Sequence, residues 1–144
     1  MFESCLKKQE LIIKEFNLCI NQEDRYRRLI SLGKEQDCLL PEMKDDHHLV
    51  PGCQSRMYLH STFKDGLVFF QAESDALISA GLAVLLMRVY SGETPETILK
   101  CPPTYLEVLG INTSLTPSRA NGLSNIMLRM KQEALKYLMA STKP

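Results

Sequence analysis

Apolar positions change their period twice along the chain. In the first third, Leu6, Leu11, Ile12, Phe16 and Cys19 recur at near-helical spacing, with Lys7, Lys8, Lys14 and Glu15 on the opposite side, which predicts an amphipathic helix. Asn21 offers a cap for a second helix. Its first turn carries Glu23 and Asp24, its apolar stripe is Tyr26, Leu29, Ile30 and Leu32, and Gly33 marks a fraying end. Positions 34–46 lose all periodicity, are charged and include Pro41, so they predict a surface loop. From Arg56 onward the period is two. Met57, Leu59 and Phe63 alternate with Arg56, Tyr58 and His60, and Leu67-Val68-Phe69-Phe70-Gln71 follows after Lys64-Asp65-Gly66. This is a β-hairpin pattern, with Asp65-Gly66 supplying the left-handed backbone that a tight reversal needs. His48–Val50 is expected to add a short third strand on the other side of the turn at residues 51–53.

The helical period then returns. Ser74-Asp75 offers a cap, and Ala76–Met87 is apolar on nearly every face, as a central helix surrounded by protein would be. Bracketed by Asp75 and Arg88, the run is shorter than the ~20 residues needed to cross a bilayer. Gly81 costs such a helix roughly 1 kcal/mol against alanine, so a neighbouring backbone is expected to approach it closely. Thr94-Pro95 and Thr116-Pro117 repeat one helix-start signal, a capping hydroxyl followed by proline at the first helical position. The last helix, from about Pro117 to Met139, places Leu123, Ile126, Met127, Met130, Leu135 and Leu138 on one broad face, with Arg129, Lys131 and Glu133 elsewhere. The expected fold class is α+β: one domain over 1–144, with a small antiparallel three-stranded sheet and helices packed on it.

Composition narrows the function. The 144 residues suffice for a core without staples, and 17 basic side chains balance 17 acidic ones. There is no net field to draw the chain onto nucleic acid or an anionic membrane, so neither is an expected partner. The five cysteines, at 5, 19, 38, 53 and 101, are odd in number and form no CxxC pair, which argues against a disulfide framework and a zinc site. Charges at Glu3 and Lys7-Lys8 interrupt the N-terminal stretch, so it does not read as a secretory signal, and a cytoplasmic, reducing location is expected.

The candidate chemistry sits in Val50-Pro51-Gly52-Cys53-Gln54-Ser55. Pro51 stiffens the approach and Gly52 opens backbone angles closed to other residues, so Cys53 is presented at a shaped turn just before a strand. A lone cysteine is usually a small core hydrophobe, and the turn residues shift the reading toward a nucleophile. Cys19 falls on the apolar stripe and reads as core. Gln54 and Ser55 offer hydrogen bonds to a sulfur anion or to a partner, or simply close the turn. His47 and His48 precede the thiol without the three or four ligands that a metal site requires, so no metal is expected.

Four separated segments in register resemble the SufE family of sulfur-acceptor proteins: Val50–Ser55, Ser74-Asp75-Ala76, Gly81-Leu82-Ala83-Val84, and Leu115-Thr116-Pro117-Ser118-Arg119 with Gly122-Leu123. The resemblance covers nearly the whole domain and is weakest in the first helix and the loop before Cys53. It implies a fold shared with IscU-type iron–sulfur scaffolds and the acceptance of sulfane sulfur on Cys53 from a cysteine desulfurase, SufS-like or CsdA-like. It further implies stimulation of that enzyme and delivery to a SufBCD-type complex. The chain itself needs no cofactor on this reading; pyridoxal phosphate belongs to the desulfurase.

By resemblance Arg119 stands near the thiol turn as its cation, although on its own it also reads as a surface ion pair. Asp75 matches a family aspartate and reads independently as an N-cap. Gly52, Gln54 and Asp75 are turn or partner contacts. Tyr58 stands where tryptophan is common in the family, and the paired histidines depart from its pattern. Two alternatives come from other classes: an IscU-like scaffold, which needs several converging cysteines, and a cysteine hydrolase with His47, His48 or His60 as base. Whether the protein forms a homodimer stays open at this level.

Overall fold

The computed structural model describes residues 1–53 and 55–141. Helix α1 spans Glu3–Phe16 and α2 spans Gln22–Gly33; a hairpin of β1 (Met57–Lys64) and β2 (Leu67–Ser74) follows. After it come α3 (Leu77–Tyr90), the short helices α4 (Pro95–Lys100), α5 (Thr104–Val108) and α6 (Ile111–Ser114), and the long α7 (Pro117–Ser141).

Local signals act where the sequence places them. The Asn21 side chain accepts the Asp24 amide at 2.8 Å, and Thr94 and Thr116 accept the amides of Thr97 and Arg119 at 3.2 and 3.4 Å. Asp65 and Gly66 both have positive φ, 54° and 80°, as the type I′ reversal demands. Eight residue pairs join the strands, from Met57↔Ser74 to Lys64↔Leu67. One face of the hairpin therefore carries Met57, Leu59, Val68, Phe70 and Ala72, all buried. Phe63, on the same face but near the reversal, lies outside the core and stacks on Tyr137 of α7, ring centroids 5.0 Å apart.

The sheet has two strands rather than three. His48–Val50 contributes one bridge, Leu49↔Tyr58, made by Val50 N–H donating to Met57 O and Leu59 N–H donating to His48 O, both at 2.8 Å. Pro51 has no amide to extend the ladder, and the Asp45–His48 turn ends it on the other side. The far edge of β2 is covered by unlike groups: Ser91 Oγ accepts from Phe70, Glu93 O from Val68, Asp37 from Ala72 and Gln36 from Ser74. Positions 34–46 are thus tied to the sheet; Leu39 is buried, and Pro41–Met43 forms one 3₁₀ turn.

Helix α3 is the centre of the molecule, buried from Ala80 to Met87. Helix α2 crosses it on paired glycines. A Cβ on Gly81 would lie 1.9 Å from Leu29 O, and one on Gly33 would lie 2.1 Å from Leu77 O. Gly33 does end α2, but packed against α3 instead of fraying, and the expected close approach at Gly81 is present.

The inward stripe of α1 is Cys5, Gln9, Ile12 and Phe16, and Leu6 and Leu11 face outward. Gln9 belongs there because its polar atoms are used: Nε2 donates to Pro102 O at 3.0 Å, and Oε1 accepts from Thr104 Oγ1 and Tyr105 N at 2.9 and 3.2 Å. Cys19 lies beyond α1 and is half-buried, so it is not core. Tyr26 of α2 and Leu135 of α7 are exposed as well. Among the described residues, no helix is long and apolar enough to cross a membrane.

Candidate functional site

The turn carrying Cys53 lies where β1, α3 and α7 meet. Cys53 lines a narrow cleft with Met57, Ser79, Leu82, Arg119, Gly122 and Ile126. The cleft is tight, with room for no more than about one water-sized atom. The thiol is half-buried, and its closest polar partner is the Gly122 carbonyl, to which Sγ–H donates weakly at 3.9 Å. Burial pushes the Cys53 thiol above its ordinary value, because the thiolate loses hydration that the cleft does not replace. In this pose the sulfur is a neutral thiol near pH 7.

Each side of the turn is pinned. Upstream, Val50 is buried and bonded to Met57. Downstream, Ser55 Oγ donates to Ser79 Oγ at 2.8 Å, and the same Ser79 oxygen accepts from Arg119 Nη1 at 3.0 Å. Arg119 is thereby brought to the Cys53 cleft, as expected, but its resting partner is a serine. No carboxylate pairs with it among the described residues.

Asp75 does not cap α3. That cap is Ala76, which has no side-chain bond of its own. Asp75 Oδ1 instead accepts from the Arg56 amide at 3.1 Å while Asp75 N–H donates to Arg56 O at 3.4 Å, clamping the exit of the thiol turn. The reason is the pairing register: Met57 faces Ser74, so the next residue out on each strand meets its counterpart. Gly52 adopts φ +78°, the left-handed region for which its lack of a side chain suits it. Gln54 lies outside the described residues.

Residues that sequence reasoning did not single out complete the site. Asn125 Nδ2 donates to Gly52 O at 3.1 Å, and Arg129 Nη1 donates to Leu49 O at 3.1 Å with its other nitrogen on His47 O. Ser79 joins the turn to Arg119. The available signals were a lone serine inside an apolar helix, and polar Asn125 one turn after Gly122, at the margin of the buried face of α7.

The histidines are occupied elsewhere. His48 Nδ1 faces Asp45 Oδ1 at 2.7 Å and His48 Nε2 faces His60 Nδ1 at 3.1 Å. With His48 Nδ1–H donating to the Asp45 carboxylate, His48 Nε2 accepts and His60 Nδ1–H donates. The hydrogen bond from His48 holds the Asp45 carboxyl below its ordinary range. None of the three histidines lines the Cys53 cleft. Cys5 and Cys101 are buried on either side of Gln9 Nε2, 3.7 Å from each sulfur, and desolvation pushes Cys5 up to about 12. Among the described residues, no three His, Cys, Asp or Glu side chains converge as metal ligands would.

Residues 10–134 match the SufE family, described as the Fe-S metabolism associated domain. An uncharacterised SufE-like protein of Synechocystis is 34% identical over 131 residues, covering 91% of this chain and 82% of that protein. SufE-like protein 1 of Arabidopsis thaliana, named as chloroplastic/mitochondrial, is 33% identical over 129 residues. That match covers 89% of this chain and 35% of that longer protein. A hypothetical protein of Thermus thermophilus, solved in solution, superposes with a TM-score of 0.74 at 25% identity, covering 92% of this chain and 96% of that one.

Proposed function

Because the chain belongs to the SufE family, with its role in iron–sulfur metabolism and sulfur transfer, we propose that Cys53 is the atom that receives the sulfur. The observation that supports this most directly is a single thiol at a pinned turn, in a cleft that also holds Arg119. The donor is the persulfide of a SufS-like or CsdA-like cysteine desulfurase, and the recipient is a SufBCD-type complex. The Cys53 thiolate attacks the terminal sulfur of the donor's R–S–SH, forming one S–S bond as the donor's breaks. The donor leaves as R–S⁻ and Cys53 carries S–SH. Removing product from the desulfurase in this way stimulates its turnover.

The side chains divide the work. Burial keeps the resting thiol protonated, and movement toward the donor restores hydration and lowers its pKa. Arg119 holds the only proposed cation for the persulfide, which is more acidic than a thiol and travels as an anion. It can turn from Ser79 to that anion without breaking an ion pair found among the described residues. Asp75 fixes the turn's exit through the Arg56 backbone.

The test is intact mass. With desulfurase and cysteine, the wild-type chain gains one sulfur atom and Cys53→Ser gains none. Sulfur appearing on Cys53→Ser but not on Cys38→Ser would move the acceptor to the exposed Cys38.

A further inference from the structure

The approach to the thiol turn runs antiparallel to one face of α7. Arg129 bonds His47 and Leu49, Asn125 bonds Gly52, and the Gly122 carbonyl meets Cys53. Positions 122, 125 and 129 are three and four residues apart, so they share that face. The bonds differ in what they hold. Val50 is fixed to Met57 through the backbone and Ser55 to Ser79 through its side chain, so the chain is anchored on either side of Gly52 and Cys53. Between those two pins, among the described residues, the turn is held by the Asn125–Gly52 bond and the weak thiol contact alone.

Asn125 also occupies the space beside Gly52: a Cβ on residue 52 would fall 2.4 Å from Asn125 Nδ2. Amide donor and missing side chain therefore fit each other. A half-buried thiol cannot meet a sulfur carried by another protein without leaving its cleft, and the bond that opposes this is the one from Asn125.

We propose that Asn125 is a positioning residue that holds Cys53 in its retracted pose and so sets how often the thiol is presented. The proposal rests on the sulfur-acceptor reading for its biological meaning, though not for its test. Cys53 is alkylated with iodoacetamide and followed by intact mass and peptide mapping across pH. One neutral hydrogen bond is worth a factor of roughly 2 to 10, so Asn125→Ala is expected to raise the rate at Cys53 by that factor. Its pH midpoint should fall toward that of an ordinary thiol, because burial is what raises it. Asn125→Asp keeps the shape and loses the donor, and is expected to match Asn125→Ala.

Loosening of the whole fold is distinguished by Cys5 and Cys101. Under the proposal these buried thiols keep their wild-type protection and the denaturation midpoint stays within the small change a surface bond makes. Wild-type alkylation rates in both variants would overturn the proposal, as would Cys5 and Cys101 speeding up together with Cys53. Incubation with the desulfurase separates the two claims. Faster alkylation with no sulfur on any variant refutes the acceptor reading and leaves the restraint standing; sulfur on wild type with unchanged alkylation does the reverse.

Discussion

At Cys53 removal from water raises the thiol's pKa, and Arg119, which lines the same cleft, does not offset it in the resting pose. Burial wins in the retracted pose, since Arg119 spends its near nitrogen on Ser79 and the thiol meets only a carbonyl. The rate–pH profile for alkylation of wild-type Cys53 should therefore have its midpoint above the ~8.5 of an ordinary thiol. A midpoint below that value would show that a cation, and not burial, governs the resting sulfur. The turn that presents Cys53 was legible in sequence, through Pro51 and the left-handed Gly52. The bonds that Ser79 and Asn125 make to the turn were not, because a serine in an apolar helix or an asparagine in an amphipathic one does not show by itself which distant loop it meets.

Between elements, the glycines of α2 and α3 carry the tightest constraint. The Cβ of Gly81→Ala would meet Leu29 backbone, which cannot rotate aside, so α2 must move off α3. The expected cost is about 3 kcal/mol, read as a lower urea midpoint at unchanged slope. Gly122→Ala is the contrast: its Cβ meets open space and its φ is helical, so removing glycine from within α7 should stabilise by up to ~1 kcal/mol. The sequence placed Gly81 at a close approach and the end of α2 at Gly33 correctly, but not the packing of Gly33 against α3. The stripes of α1 and α7 show the same division. Periodicity identified the helices, yet Leu6, Leu11 and Leu135 face outward while Gln9 faces in, because a buried amide with every polar atom used is compatible with a core.

Among the described residues, burial holds Cys5, Tyr90 and Tyr105 neutral in the interior. Cys5 is pushed up to about 12, and desolvation likewise raises Tyr90 and Tyr105, whose hydroxyls donate to Cys101 O and Leu85 O. Folded pKa values above the unfolded ones mean that the unfolded state loses protons first as pH rises, so stability falls with pH. The contribution is fully present below the ordinary thiol and tyrosine values, ~8.5 and ~10, and is lost on the way to the folded values. The urea midpoint should be level from about pH 7 to 8.5 and decline above it. Cys5→Ala, though less stable at the outset through its cavity, should decline less steeply through the thiol range, where Cys53 still contributes, before the tyrosines add theirs.

What the sequence determined by itself is what few neighbouring residues can encode. The Asn21, Thr94 and Thr116 caps, the Asp65-Gly66 reversal, the buried helix around Ala83 and the motif that marks Cys53 each depend on contacts within a turn or two of chain. The tertiary structure decided what distant segments must agree on. It cut the third strand to one bridge, sent Asp75 to the Arg56 backbone instead of a helix cap, and brought Asn125 to Gly52 and Arg119 to Ser79. Those outcomes depend on where α3 and α7 lie relative to the hairpin, and that placement follows from packing the whole core, glycines against backbone included, not from any single stretch of residues.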